Sequence, residues 1–278
     1  MTHLSPPLDL VAPDGARTAI YPHGAHVVSW IPAAGGERLF LSPASEFQAG
    51  APIRGGVPVI FPQFSGLGDL PKHGFARLLS WQPGLAEYGP DFATQAFTLQ
   101  AGEDTRRHWP YAFRAEMRVI VGGQRLALAF AVTNMGDEPF TFTAALHTYF
   151  QVDDVETAAV VGLAGVRYHD TTARPWAAGT QRETALRFPG EVDRIYVAAP
   201  HSLQLQTPER TTHIESEGFP DVVTWNPGPA KCARLPDMQP DDYRRFVCVE
   251  AAAIEPPVTL SAGQRWEAKQ TLAAAGRR

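Results

Sequence analysis

RAEMRVIVGGQRLALAFAVTNMGDEPFTFTAALHTYFQV, residues 114–152, decides the fold class. Apolar and polar residues alternate through RAEMRVIV (114–121), RLALAFAVTN (125–134) and FTFTAALHTYFQV (140–152), the period of a strand that buries one face. VGGQ and NMGDEP between them are turn chemistry. Farther along the chain, HSLQLQT (201–207) and RRFVCVEAA (244–252) alternate in the same way. PVTLSAGQRWEAKQTL (257–272) reads as a final turn and strand, ahead of a short basic tail, AAAGRR, that should fray. A close succession of short strands and polar turns predicts an antiparallel sandwich or barrel. No 12-residue run follows a helical period, so helices should be few and short.

The 24 glycines and 25 prolines are spread along all 278 residues rather than gathered into a linker, and no fixed-period repeat is visible. This predicts one domain over residues 1–278. Composition, 44% hydrophobic and 19% charged, supplies ample core material. A net charge of -5 argues against general nucleic-acid binding, which needs a basic face. Cys232 and Cys248 form no CxxC and suggest no disulfide framework, which fits a reducing compartment. The opening MTHLSPPLDLVAPDG has no secretory pattern, and no stretch is apolar enough to span a bilayer. A cytoplasmic protein, monomeric and without a membrane partner, is the expectation.

Four segments carry ionisable residues where strands or constrained loops would not ordinarily hold them. In IRGGVPVIFPQF (53–64), Arg54 precedes two glycines that would let backbone approach a ligand, although residue type alone favours a surface arginine at a β-turn. In LPKHGFAR (70–77), Lys72, His73 and Arg77 fall within six positions, as a solvated turn or as a receptor for an anion. In AALHTYF (144–150), His147 interrupts an apolar strand and shares a face with Ala145 and Tyr149. It is either a packed core or edge histidine or a group that exchanges protons near neutrality. In RRFVCVEAA, Glu250 follows Cys248 on one face, as a candidate base unless the strand surfaces there.

Other chemistries find little support. There is no GxGxxG after a strand, no P-loop, no HExxH and no GxSxG. His23 and His26, three apart in YPHGAH, are weak support for a metal, and Cys248 reads as a small buried hydrophobe. Neither a metal nor a cofactor is expected.

Taken together, RGGVPVIFPQF, LPKHGFAR, LHTYF, VDRIY (192–196), VVTWNPGP (222–229) and FVCVEAA resemble, in this order, the hexose-6-phosphate mutarotases, or glucose-6-phosphate 1-epimerases. These are a branch of the aldose 1-epimerase, or galactose mutarotase-like, superfamily. The resemblance implies an all-β fold, a large antiparallel β-sandwich (the galactose mutarotase-like supersandwich) with few short helices and the sugar on a concave face. It implies that His147 and Glu250 are catalytic, that Arg54 and Arg77 meet the phosphate, and that Asp193 binds sugar hydroxyls. His73 would lie near the ring oxygen. Lys72 departs from a position often occupied by Gln and adds positive charge. PDMQP (236–240) departs from a more usual Asp-Phe pair.

The implied reaction interconverts the α and β anomers of D-glucose 6-phosphate, and of related hexose 6-phosphates, by opening and reclosing the ring. Glu250 would take the anomeric proton and His147 would protonate the ring oxygen, with Glu250 ionised and His147 protonated at rest. Arg54, Lys72 and Arg77 would hold the C6 phosphate. Two alternatives stand beside it, a mutarotase of unphosphorylated aldoses and a non-catalytic carbohydrate-binding protein on the same scaffold.

Overall fold

Leu126, Leu128, Phe130 and Val132 lose all contact with water, as do Ala115, Met117, Val119 and Val121 on the neighbouring strand. Their alternation thus becomes one wall of a core, each large side chain contributing about 1.5–3 kcal/mol on burial. The two strands, Phe113–Gly122 and Arg125–Asn134, pair antiparallel with Gly122 opposite Arg125. Gly123 and Gln124 make the turn, with Gly123 in the left-handed region at φ +56. The computed structural model describes residues 2–275 of the chain.

Those strands lie in a ten-stranded antiparallel sheet with Ala93–Gln100 on one side and Arg265–Ala274, Thr211–Glu217 and Ser202–Gln206 on the other. A second sheet, of eight strands, packs against it. Its order includes Arg167–Asp170, Val192–Tyr196, Asp221–Asn226, Phe246–Leu260 and Phe140–Leu146. A three-stranded sheet, Leu8–Val11, Arg17–Tyr21 and His26–Ile31, precedes both. The architecture is the antiparallel β-sandwich expected. The α-helices among the described residues are the short Glu103–Arg106 and Gly228–Cys232.

The fifteen-residue strand Phe246–Leu260 sorts its side chains by parity. Val247, Val249, Ala251 and Ala253 join the main core between the sheets. Phe246 and Cys248 enter a second apolar cluster on the opposite face, and Ala252 and Ile254 a third. Glu250 falls between these two clusters and is itself buried. Both faces of this sheet are therefore covered, and the only carboxylate of the strand's buried run sits where the apolar cover parts.

Three details differ from the sequence reading. Arg244 and Arg245 belong to a 3-10 turn, Asp242–Arg245, and the strand begins at Phe246. The predicted strand 140–152 is interrupted, forming Phe140–Leu146 and Tyr149–Gln151. The N–H of His147 leaves the ladder for the Pro58 carbonyl at 3.0 Å, and that of Thr148 turns back to Leu146 at 3.0 Å. Ala273 and Ala274 of the AAAGRR tail complete the last strand, while residues 276–278, on which the expected fraying chiefly falls, lie outside the described residues.

Candidate active site

Register builds the floor of the site. Tyr149 stands opposite Cys248, Cys248 opposite Trp225, and Trp225 opposite Asp193, so four strands contribute one row. In the next row Glu250 is opposite Val223, and Val223 opposite Ile195. The pairs Leu146–Ala251 and Tyr149–Cys248 flank the interruption without a slip, which places His147 directly across from Glu250. Side chains of one row project to the same face.

His147 Nε2 lies 3.3 Å from Glu250 Oε1, with both side chains at most 10% exposed. His147 Nδ1 and Glu250 Oε2 have no protein partner. The imidazole stacks on Tyr149, with ring centroids 4.8 Å apart and planes 10° from parallel. This fixes the ring's tilt. Burial pushes the Glu250 carboxyl well above the usual carboxylate range, and the negative charge of Asp193 adds to it, with Lys72 opposing. Burial also pulls His147 well below an ordinary histidine, helped by Arg54, Arg77 and Lys72. The expected resting imidazolium is therefore disfavoured. In the free site, low dielectric favours a neutral imidazole beside a carboxyl group, and the cations add to the cost of the imidazolium.

One cavity brings together Arg54, Lys72, His73, His147, Asp193 and Glu250. Arg77 does not line it; its Nη2 donates to the Lys72 carbonyl at 3.0 Å, behind the loop. Burial lowers Arg77 to about 10. His73 adopts φ +68, rare for a residue with a side chain, and its N–H bonds Ser65 O at 2.9 Å. The Ser65 N–H donates to His73 Nδ1 at 3.2 Å, so the neutral ring carries its proton on Nε2, free to donate. Burial holds this histidine below its ordinary value.

Arg54 is held on two sides. Its Nε and Nη2 reach Asp237 Oδ2 at 3.0 and 2.9 Å, and Nη1 donates to the Tyr149 hydroxyl at 3.0 Å. Asp237 comes from PDMQP, so the stretch that departs from the family pattern supplies the arginine's counter-ion. The glycines after Arg54 serve a different end from the one expected. A Cβ on Gly56 would lie 2.1 Å from the Val27 carbonyl, and one on Gly55 2.4 Å from that of Phe40. They admit neighbouring backbone rather than a ligand. His23 and His26, considered for a metal, each bond a backbone carbonyl, those of Ala51 and Gly55.

Several lining residues were not read from the sequence. Lys231 lies two positions beyond the VVTWNPGP stretch, on Gly228–Cys232, with Nζ 2.7 Å from Glu191 Oε1. Thr171 and Trp176 enter from the loop that joins Arg167–Asp170 to Ala177–Thr180. The Trp176 indole N–H is buried without a partner. Nothing local in TTARPW marks these positions; only the hairpin's place at the sheet edge brings them to the cavity.

The sandwich thus sets a buried histidine–glutamate contact in a cavity lined by Arg54, Lys72 and Lys231. The sequence matches the family described as "Aldose 1-epimerase" over residues 8–273. The chain belongs to the aldose 1-epimerase family. A curated relative from Cenchrus ciliaris is 36% identical over 282 residues, covering 96% of this chain and 85% of its own. One from Salmonella typhimurium is 33% identical over 276 residues, covering 97% and 92%. Both are provisionally named glucose-6-phosphate 1-epimerases. A crystal structure from Salmonella typhimurium, provisionally described as a mutarotase, superposes with a TM-score of 0.87 at 31% identity, covering 94% of this chain and 88% of that one.

Proposed function

We propose that this protein interconverts the α and β anomers of D-glucose 6-phosphate and related hexose 6-phosphates. The observation that carries the reading is the His147–Glu250 pair, 3.3 Å apart at the floor of a cavity rimmed by Arg54, Lys72 and Lys231. The names of the curated relatives support the substrate class.

Glu250 takes the proton of the anomeric hydroxyl while His147 gives one to the ring oxygen. The C1–O5 bond breaks as the C1 carbonyl forms, rotation about C1–C2 exposes the other aldehyde face, and closure reverses both transfers. His73 Nε2–H donates to a sugar oxygen, and Asp193 accepts from sugar hydroxyls. Arg54 and Lys72 take the phosphate directly, and Arg77 acts from behind the Lys72 carbonyl. A phosphate dianion there screens Arg54, Arg77 and Lys72, the cations that depress His147, and so favours the imidazolium that gives the ring-oxygen proton.

Because Arg54 is already engaged by Asp237 and Tyr149, a mutarotase of unphosphorylated aldoses is the second reading. Burial of both Cys232 and Cys248 as free thiols accords with a reducing cytoplasm as its place of action. Among the described residues no helix is long and apolar enough to cross a membrane. The reading is tested by magnetisation-exchange NMR between the two anomers of glucose 6-phosphate and of glucose, with His147→Ala alongside. Accelerated exchange of the phosphorylated sugar that the variant loses supports it. Equal acceleration of both sugars selects the second reading, and binding without exchange selects a non-catalytic carbohydrate-binding protein.

A further inference from the structure

We propose that Gln270, on the opposing sheet, is a positioning residue that sets the spacing of His147 and Glu250. It lies on Arg265–Ala274, the ten-stranded sheet, with its side chain wholly buried between the layers. A glutamine there is costly unless both ends of its amide are bonded. They are: Nε2 donates to the Val249 carbonyl at 3.2 Å, and Oε1 accepts from the Thr148 hydroxyl at 2.6 Å. A carbonyl can only accept, which fixes the amide's orientation.

The bonds repair the interrupted ladder. In unbroken antiparallel pairing, Thr148 and Val249 would exchange two backbone bonds. One survives, from the Val249 N–H to the Thr148 carbonyl at 3.2 Å. The other is lost because the Thr148 N–H turns to Leu146, and Gln270 Nε2 supplies the donor that the Val249 carbonyl would otherwise lack. The clamp joins the residue after His147 to the residue before Glu250. Thr148 and Val249 belong to the core, whereas His147 and Glu250 line the cavity. One amide in the core therefore holds the two strands at the separation that the acid–base pair needs on the other face. Nothing else crosses from the opposing sheet to both strands at this point in the hydrogen-bond pattern of the described residues.

This inference rests on the catalytic reading of His147 and Glu250, and exchange NMR on Gln270→Met tests it. Methionine keeps the volume and loses both bonds. The expected result is a kcat for anomer exchange about 10- to 100-fold lower, with KM for glucose 6-phosphate within about twofold, because only the reacting groups are displaced. Gln270→Glu should rescue it in a pH-dependent way. A buried carboxyl group is neutral and can donate to Val249, so its kcat relative to wild type should fall as pH rises and that donor is lost. Wild-type kcat in Gln270→Met, or a fall in thermal midpoint with no change in kcat, overturns the proposal. Should Gln270→Met fail to fold, Thr148→Val removes one bond without changing shape, and Thr148→Ser restores it. An unchanged kcat in Thr148→Val likewise overturns it. Full exchange in Glu250→Gln and His147→Ala would instead refute the underlying catalytic reading, whatever Gln270 does.

Discussion

His147, in the break between Phe140–Leu146 and Tyr149–Gln151, stands across from Glu250 on the neighbouring strand, 3.3 Å away, where the backbone ladder has opened. Their contact replaces no structural bond and leaves one polar atom on each without a partner. Glu250→Gln should therefore lower exchange by about 10²- to 10⁴-fold while leaving the thermal midpoint unchanged or raised. The raised carboxyl binds its proton more tightly in the folded state. Its stabilising share is present at low pH and is lost as pH rises from about 4.5, the unfolded value, through the folded one. Glutamine removes that loss. A fall in midpoint that accompanies the fall in rate would make the carboxylate structural.

Lys72 lowers the proton affinity of both His147 and Glu250. Lys72→Gln, which restores the residue often found there in the resembling family, should shift both limbs of the pH–rate profile upward. KM for glucose 6-phosphate should rise roughly three- to tenfold, a modest change because this lysine is solvent-exposed. A profile that stays in place would separate Lys72 from the reacting pair.

Arg54 and Asp237 form a mostly buried ion pair. Arg54→Ala strands Asp237 and the Tyr149 hydroxyl, and urea unfolding should show a loss of about 2 kcal/mol. The same variant should raise KM for glucose 6-phosphate more than for glucose. If stability falls and the two sugars lose alike, Arg54 is a scaffold residue only.

Arg77 reaches the cavity through the Lys72 carbonyl. Arg77→Ala should weaken binding of the phosphorylated sugar much more than that of free glucose, and should add little once Lys72→Gln is present. Additive effects in this double-mutant cycle would show that the two cations act independently, and equal losses for both sugars would remove Arg77 from the phosphate site.

His26 is fully buried, bonds the Gly55 carbonyl at 2.7 Å, and is pulled down to about 3, chiefly by burial. A depressed histidine contributes stability that is present above its unfolded value and lost as pH falls from about 6.5 toward 3. Between pH 7 and 5 this group alone should cost about 2 kcal/mol. His26→Gln keeps a donor for Gly55 and should flatten that slope in urea midpoints; an unaltered slope would place the acid sensitivity elsewhere.

What could be read from the chain follows the range of the interactions that decide it. The strand Arg125–Asn134 matches its expected limits because alternation and a glycine turn settle it locally. Of the six proposed site residues that converge, Arg54, Lys72, His73, His147 and Glu250 sit in stretches whose own pattern singled them out, whereas Asp193 came from the family resemblance alone. The break after Leu146 was not legible, since the groups that capture the His147 and Thr148 N–H donors depend on tertiary placement. Gly55 and Gly56 were misassigned for a similar reason: the close neighbour was backbone from residues 27 and 40. Trp176 sits in a stretch without distinguishing pattern that sheet order carries to the cavity, and Lys231 arrives on the short helix Gly228–Cys232.

The site draws on residues 54, 73, 147, 193 and 250, and the amide behind it on residue 270. No contiguous fragment carries enough of it to bind or react, and every closing contact spans a long loop. Such topology slows folding, because loop entropy is lost before the distant contacts reward it. Competence should thus emerge only once the strand Arg265–Ala274 has docked. During synthesis the chain stays chemically silent until residue 270 has left the ribosome, and recovered activity after dilution from denaturant reports docking of that strand.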